Sequence, residues 1–221
     1  GSRASLPQPP LVAPKTEANP PIFSFIMKMN VLELFSGAGS VGKVCKNLGI
    51  EVVSLDRDLP ADIKSDIMDW DYKTYKPKDF DLIWASPPCT EYSQAKTIGV
   101  RKIDGANRVV QRTLEIIRYL EPTYWIVENP QTGLLKKQVF MQDIPFNDVD
   151  YCKYGMPYRK RTRLWNNIDA WTPRSLCCRD CDSMKEDKKT HKAMAQRDYF
   201  RQSQLYKVPE NLIAEIIHSV I

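Results

Sequence analysis

The chain has 221 residues, 43% of them apolar, which is enough for one domain with a sizeable core plus a small appendage. Its net charge of +5 is compatible with a polyanionic partner. No run of about 18 apolar residues and no signal-peptide pattern is present, so the sequence excludes a membrane-spanning helix and predicts a soluble intracellular protein of the cytoplasm or nucleus that is not secreted. The six cysteines then indicate reduced thiols with catalytic or metal-binding roles rather than a disulfide framework.

Residues 1–26 are predicted to form a disordered leader. Six of the sixteen prolines lie within its first 22 positions, and the apolar content is low. Gly1 and Ser2 resemble the remnant of a removed tag. The folded part of the chain is therefore expected to begin near residue 27.

Downstream, predicted strands alternate with predicted helices. The apolar runs that predict strands are Val31–Phe35, Glu51–Leu55, Asp81–Ala85 and Thr123–Val127. One amphipathic helix follows the first strand as far as Leu48, and another covers Val109–Leu120. This alternation predicts an α/β fold, with a mainly parallel sheet and helices on both faces. In such sheets, ligands bind at the carboxyl ends of the strands.

The ends of the first two strands indicate a small-molecule pocket. Gly37 and Gly39 would let the backbone approach a ligand at a helix N-terminus, although any tight turn could use them. Asp56 could accept hydrogen bonds from both hydroxyls of a ribose, although it could also be an ordinary loop acid. Together they favour a nucleoside-bearing ligand, to which Asp66 could add an acceptor and Ile67 an apolar wall.

The third and fourth strands end in reactive groups. Two prolines fix the backbone directly before Cys89, a rigid mount that suits a nucleophile, although a buried structural cysteine is the alternative. The fourth strand ends in Glu128, Asn129 and Pro130. A partly desolvated glutamate at such an end can donate a proton near neutrality, or can simply cap a helix or pair with an arginine.

Positive charge is concentrated in Lys153–Arg163, where tyrosines are interleaved. This pattern predicts a surface that contacts phosphates, with a solvated cationic loop as the alternative. Arg101, Lys102 and Arg108 follow Cys89 and could form a mobile basic loop that closes on nucleic acid.

Taken in order, these motifs resemble those of the DNA cytosine-5 methyltransferases. The resemblance covers nearly the whole chain after the leader, and it is strongest to the short phage and viral members, which share the run from Pro88 to Ser93. The motifs that carry it are Leu34-Phe35-Ser36-Gly37-Ala38-Gly39, Asp56, Asp66, Pro87-Pro88-Cys89, Glu128-Asn129-Pro130 and Arg161-Thr162-Arg163. It implies a Rossmann-like, S-adenosylmethionine-dependent methyltransferase that flips a cytosine out of duplex DNA and methylates ring carbon 5.

The resemblance also implies roles for individual residues. Cys89 would add to carbon 6, Glu128 would hold ring nitrogen 3 and the exocyclic amine, and Arg161 and Arg163 would steady the adduct. The cofactor, and S-adenosylhomocysteine as product, would contact Phe35, Ser36, Gly37, Gly39, Asp56, Arg57, Asp66, Ile67 and Pro87. DNA would contact Ser93, Arg101, Arg108, Asn129, Arg159 and Lys160. We expect a monomer whose specificity a protein partner could supply.

The chain departs from the family pattern at four places. The first acid is Glu33 where Asp is usual, and Pro157–Arg163 is one residue longer than usual and lacks a Gln, so the arginine assignment could be offset by one. Leu205-Tyr206-Lys207 replaces the usual Gly-Asn before Val208-Pro209, which weakens the cofactor prediction, although the helix after Pro209 should still pack beside the first βαβ unit. The recognition region has only about 40 residues, far below a usual domain.

Four parts are therefore expected. They are the leader, a catalytic domain at 27–163, a small recognition segment at 164–204, and a C-terminal helix at 205–221 that returns to the catalytic domain. Cys178, Cys181 and His191 in the recognition segment match part of a zinc pattern, with Cys152, or Cys177, as the fourth ligand. Free surface thiols and a solvated histidine are the alternative.

Two other functions stay open at this stage. Enzymes that methylate an exocyclic amine of adenine or cytosine also follow a strand with Ser/Asp-Pro-Pro, but they carry an aromatic residue where this chain has Cys89. The departures near Val208 and the short recognition region also suit a DNA-binding protein that keeps the fold with little or no turnover.

Overall fold

The computed structural model describes residues 29–94, 96–194 and 202–221; the predicted leader lies outside these ranges. The strands are β1 Asn30–Leu34, β2 Glu51–Asp56, β3 Ile63–Lys64, β4 Leu82–Ala85, β5 Tyr124–Pro130, β6 Phe146–Asp150 and β7 Arg161–Asn166. The helices are α1 Ser40–Asn47, α2 Ile103–Leu120, α3 Gln202–Leu205 and α4 Glu210–His218. Short 3-10 helices cover Tyr72–Thr74, Leu134–Lys137, Val139–Met141 and Tyr151–Tyr154. Within the described residues, no helix is both long enough and apolar enough to cross a membrane.

The strands form one sheet in the order β3-β2-β1-β4-β5-β7-β6. The first five in this order are parallel, and β7 runs antiparallel to both β5 and β6. Helices α1 and α4 pack on one face of the sheet, and α2 packs on the other. This arrangement confirms the predicted α/β fold, with its mainly parallel sheet covered on both faces.

The central strand explains why the sequence folds this way. All four residues of β4, Leu82–Ala85, are fully buried, as expected for a parallel strand covered on both faces. In the sheet, Ala85 pairs with Leu34 of β1 and with Val127 of β5, and Leu34 also pairs with Leu55 of β2. This register brings the carboxyl ends of four strands to one edge of the sheet.

The structure differs from the predicted elements at one helix start, in two additional strands and at one domain boundary. Helix α2 begins at Ile103, six residues before the predicted start, because its first turns carry polar residues and show no apolar repeat. Strands β6 and β7 were not predicted, since both are rich in charged and polar side chains. The predicted domain boundary at residue 163 falls inside β7, so the catalytic sheet continues to Asn166.

The C-terminal helix α4 packs beside the first helix of the fold. Leu212, Ile213 and Ile216 of α4 are buried in the same core as Val41 and Val44 of α1. Pro209 precedes the first helical residue, where a helix tolerates proline. A hydrogen bond from the Val208 amide to the Ser40 hydroxyl (3.3 Å) also connects the two helices.

Candidate active site

The turn after β1 has an unusual backbone. Phe35, Gly37 and Gly39 all have positive φ, at 58°, 53° and 67°. Positive φ is sterically unfavourable for a bulky residue such as Phe35, so its surroundings must impose the conformation. Such backbone strain is concentrated at ligand sites. The turn leads directly into the N-terminus of α1 at Ser40.

Asp56, at the end of β2, fastens this turn to the neighbouring one. Its Oδ2 accepts from the Gly37 amide (2.9 Å), and its Oδ1 accepts from the amides of Asp58 and Leu59 (both 2.8 Å). Each carboxylate oxygen can accept more than one hydrogen bond, so Asp56 keeps capacity for a ligand. The buried Ser36 hydroxyl has no hydrogen-bond partner among the described residues. A ligand hydrogen bond would satisfy it, so this turn fits the predicted nucleoside pocket.

The other predicted cofactor residues lie around Asp56. Arg57 is mostly exposed and forms ion pairs with Asp58 (2.9 Å) and Asp66 (3.3 Å). Asp66 also accepts from the Met68 amide at 2.9 Å, and Ile67 is buried beside it. The structure therefore groups these acids and their apolar wall next to the glycine turn.

Glu33 has a structural position that sequence reasoning did not predict. It is only 4% exposed and accepts hydrogen bonds from the amides of Val41 (3.1 Å) and Gly42 (2.9 Å) at the start of α1. Burial raises the pKa of this carboxyl to about 7. A Cβ on Gly42 would lie 3.1 Å from Glu33 Oε2, so glycine permits the close approach.

Cys89 lies on the loop after β4, beside the end of β5. The buried Asn129 side chain donates to the Pro87 carbonyl (2.9 Å), which connects the two strand ends. The thiol is half-buried, and burial raises its pKa; the nearby Glu128 carboxylate also raises it, whereas the Lys160 ammonium lowers it. The predicted nucleophile and the predicted acid therefore share one edge of the sheet and interact electrostatically.

Glu128 is held by two side chains that follow β6. Its Oε1 accepts from the Tyr151 hydroxyl (3.0 Å) and lies 3.8 Å from Lys160 Nζ. Lys160 also lies over the Tyr151 ring and donates to the Leu205 carbonyl (3.1 Å). Burial, together with the charge of Glu128, raises the pKa of the Tyr151 phenol well above its ordinary value, so Tyr151 stays a hydrogen-bond donor.

Similarity to known proteins identifies the family of this chain. Residues 29–151 match the family described as C-5 cytosine-specific DNA methylase. The chain belongs to this family. The family is S-adenosylmethionine-dependent, which agrees with the nucleoside pocket at Ser36 and Asp56.

Individual relatives agree with the family match. The chain is 37% identical, over 175 residues, to the "Probable DNA (cytosine-5)-methyltransferase" of Frog virus 3 (isolate Goorha), covering 72% of this chain and 80% of the relative. The family match and this viral relative support DNA cytosine-5 methyltransfer as the function.

Two solved structures share the fold at low sequence identity. One, encoded within an E. coli prophage and described as a DNA modification methyltransferase, is 18% identical over 68% of this chain, with a TM-score of 0.50. The other is the Entamoeba histolytica methyltransferase EhMeth, 14% identical over 67% of this chain, also with a TM-score of 0.50. The chain spans about half the length of these two structures, 52% and 56%.

Against this family pattern, the two arginines of β7 have unexpected partners. Arg161 forms a two-point ion pair with Asp150 (3.0 and 2.7 Å), and Arg163 forms one with Asp148 (2.8 and 2.9 Å). Arg163 pairs in the sheet with Asn129, one residue beyond Glu128, so both arginines lie on the opposite face from Glu128. Among the described residues, the cation that the structure brings to the Glu128 carboxylate is Lys160, which was predicted to bind DNA.

The three arginines that were predicted to bind DNA fall into two groups. Arg101 donates to three carbonyl oxygens of its own loop, those of Glu91 (2.9 Å), Ser93 (2.7 Å) and Lys96 (2.9 Å). It therefore organises the loop after Cys89 instead of extending as a free basic arm. Arg108 and Arg159, by contrast, are exposed.

The predicted metal ligands are brought together with one correction. The ligand atoms of Cys152, Cys177, Cys181 and His191 all lie within 4.8 Å of one another. Cys178, which was predicted as a ligand, is exposed and lies outside this group, and its thiol donates instead to the Leu176 carbonyl (3.7 Å). The backbone turns at Arg179, where φ is +69°, and the buried side chain is that of Cys177.

Proposed function

We propose that this protein is a DNA (cytosine-5)-methyltransferase with Cys89 as the nucleophile and Glu128 as the acid. The observation that carries the proposal is the placement of these two groups at adjacent strand ends, joined by the hydrogen bond from Asn129 to Pro87. The nucleoside pocket at Ser36, Gly37 and Asp56 occupies the same edge of the sheet. Such an edge is where α/β folds bind and transform their ligands.

The cofactor residues have a simple division of work. S-adenosylmethionine supplies an electrophilic methyl group carried on a sulfonium. Asp56 would accept hydrogen bonds from its ribose hydroxyls, and the orphaned Ser36 hydroxyl would gain its missing partner. The positive-φ turn at Gly37 and Gly39 would let the backbone approach the bound nucleoside closely.

Cys89 supplies the activation that the substrate lacks. Carbon 5 of cytosine is too weak a nucleophile to accept a methyl group unaided, so the thiolate adds to carbon 6 and the ring becomes an enamine. Carbon 5 would then attack the methyl group, and the sulfonium–methyl bond would break with its electron pair kept by sulfur, leaving S-adenosylhomocysteine. Loss of the proton from carbon 5 to water or hydroxide returns the electron pair to the ring and expels the thiolate. Lys160 supports the first step, because its charge lowers the pKa of the Cys89 thiol.

Glu128 manages the charge that develops on the ring. It would hold the exocyclic amine and ring nitrogen 3 and pass a proton to nitrogen 3 as Cys89 adds to carbon 6. Tyr151 and Lys160 both contact Oε1, and we assign Oε2 to the base. A fixed carboxylate is needed here, because a small displacement of either reacting group is expensive.

The substrate is proposed to be duplex DNA with one cytosine flipped out. A stacked base cannot reach Cys89 and Glu128, and extrusion costs a few kcal/mol. The exposed Arg108 and Arg159 would contact DNA phosphates. We also propose that the protein acts as a monomer. The segment after β7 offers little surface for contacting bases. The DNA sequence that the protein recognises is therefore short, or a protein partner supplies the specificity.

Product analysis tests this proposal directly. The full chain is incubated with duplex DNA and S-adenosylmethionine carrying a labelled methyl group, and the DNA is digested to nucleosides for mass spectrometry. We expect label only in 5-methylcytosine, whose sequence context bisulfite sequencing would then define. Label in N4-methylcytosine or N6-methyladenine would show an exocyclic-amine enzyme. No label, with cofactor and DNA still bound, would show a binding protein without turnover.

A further inference from the structure

The Cys/His cluster joins two parts of the chain that share little regular structure. Cys152 lies in the 3-10 turn directly after β6, whereas Cys177, Cys181 and His191 belong to the segment of residues 167–194 that follows β7. This 167–194 segment contains no helix or strand, only an isolated bridge between Met184 and His191. None of the four residues takes part in the proposed methyl transfer.

The geometry of the cluster is close to that of a tetrahedral metal site. The Cys177 sulfur lies 3.5 Å from His191 Nε2, and all four ligand atoms fall within 4.8 Å of one another. Four ligands at ordinary zinc distances are about 3.8 Å apart for two sulfurs and about 3.6 Å for sulfur and nitrogen. The spacing Cys177-x-x-x-Cys181 is also within the range of structural zinc sites.

The backbone around Cys177 is fixed by a turn and by a buried hydrogen bond. The turn is made at Arg179, whose φ is +69°. The Cys177 amide itself donates to the buried Asp150 carboxylate (2.9 Å). Three thiolates, one neutral imidazole and one divalent ion carry a net charge of −1, which cations such as Lys153 and Arg179 can offset.

We propose that Cys152, Cys177, Cys181 and His191 bind one structural zinc ion that fastens the 167–194 segment to the catalytic domain. Thiolate and imidazole ligands select zinc over the hard cations, which prefer oxygen. Four protein ligands fill a tetrahedral shell and leave no position for water or substrate, so the ion is structural and not catalytic.

Cys152 connects the proposed metal site to the active site. Cys152 is the residue after Tyr151, whose hydroxyl holds Glu128. The same turn region is held by the 167–194 segment, because the Ser183 hydroxyl donates to the Met156 carbonyl (2.6 Å) and the Ala193 amide donates to the Pro157 carbonyl (3.1 Å). Loss of the metal would loosen both the segment and the turn that positions the acid.

Metal analysis with a matched pair of variants tests the proposal. The full chain is purified without added metal, dialysed, and analysed by inductively coupled plasma mass spectrometry. We expect close to one zinc per chain in the wild type and in Cys178→Ser, and little in Cys177→Ser. The two substitutions are adjacent and chemically identical, so a general loss of metal on mutation cannot mimic the difference.

A second measurement covers the case in which Cys177→Ser does not fold. A chelator is used to strip the wild type, and hydrogen exchange is followed by mass spectrometry. We expect faster exchange in residues 151–157 and in the 167–194 segment, with β4 unchanged, and recovery on adding zinc alone. Any one of three results would overturn the proposal. These are zinc near zero in the wild type, zinc retained by a folded Cys177→Ser, and hydrogen-exchange rates that the chelator leaves unchanged. Metal content is measured without any methyl-transfer assay. The zinc proposal is therefore tested separately from the proposed function.

Discussion

The carboxyl-end edge of the sheet and the 167–194 segment are built in opposite ways. At the edge, Cys89 follows β4 and Glu128 lies near the end of β5, so their relative position follows from the register of two buried parallel strands. The segment has no ladder of its own and is fastened by separate hydrogen bonds, among them those from the Trp171 indole to the Glu215 carboxylate (3.2 Å) and from the Arg174 amide to the Tyr154 hydroxyl (2.9 Å). The residues whose chemistry needs fixed geometry therefore lie on paired strands, whereas the 167–194 segment depends on single contacts.

Substitution of the nucleophile should separate chemistry from folding most sharply. Cys89→Ser should reduce methyl transfer by more than about a thousandfold, because the weakly acidic hydroxyl cannot add to carbon 6. The residue is half-buried in a loop, so the midpoint of thermal unfolding should stay close to that of the wild type. Cys178→Ser serves as the control and should keep full activity. Substantial methyl transfer by Cys89→Ser would show that the reaction does not take place at this edge of the sheet.

The buried Glu33 makes the stability of the sheet depend on pH. Its pKa is about 7 in the folded protein and lies near the ordinary 4.5 when unfolded, so the folded state holds a proton that the unfolded state has lost. The contribution of Glu33 to the unfolding free energy is complete below pH 4.5 and falls by up to about 3 kcal/mol as the pH rises to 7.

Urea titrations between pH 4.5 and 8 check this dependence. Glu33→Gln cannot titrate, so its unfolding free energy should fall less steeply with pH than that of the wild type. Parallel curves for the two proteins would show that the burial of Glu33 does not control the slope.

Asp150 connects the two regions, since it binds both Arg161 of β7 and the Cys177 amide. Asp150→Asn should lower the unfolding free energy by about 2 kcal/mol, because it leaves a partly buried guanidinium without its counter-charge. Asp148→Asn is the matched control, since Asp148 pairs with Arg163 but does not contact the 167–194 segment in any described hydrogen bond. Only Asp150→Asn should also weaken zinc retention, and equal retention by the two variants would contradict the connection.

The smallest effect is expected at Lys160. Lys160→Met removes the charge that lowers the pKa of Cys89, so the pH profile of methyl transfer should move to higher pH, by less than about one unit. Arg159→Met alters the neighbouring exposed charge and should weaken DNA binding without moving the profile. A profile unchanged in Lys160→Met would return Lys160 to the role of a phosphate contact.

Much of the edge of the sheet was predictable from sequence, because strand ends and their following residues are adjacent in the chain. The apolar runs before Gly37, Asp56, Cys89 and Glu128 were enough to bring these residues to one edge. The partners of Glu128 were not predictable, because Tyr151 and Lys160 reach it only through the antiparallel pairing of β5, β6 and β7.

In the Cys/His cluster, sequence alone likewise did not identify one of the four residues. Spacing alone favoured Cys178 with Cys181, since two intervening residues are the commonest pattern. The choice between Cys177 and Cys178 depends on the turn at Arg179 and on the hydrogen bond from Cys177 to Asp150. Neither the turn nor the partner strand is visible in the local sequence.

Trapping of the covalent adduct tests the central claim most directly. The protein is incubated with S-adenosylmethionine and DNA in which cytosine is replaced by 5-fluorocytosine, whose fluorine cannot leave as the carbon-5 proton does. The account predicts a protein–DNA band on a denaturing gel for the wild type, with the peptide containing Cys89 cross-linked, and no band for Cys89→Ser. Methylation of ordinary DNA without any trapped band, or a band formed through a different residue, would contradict it.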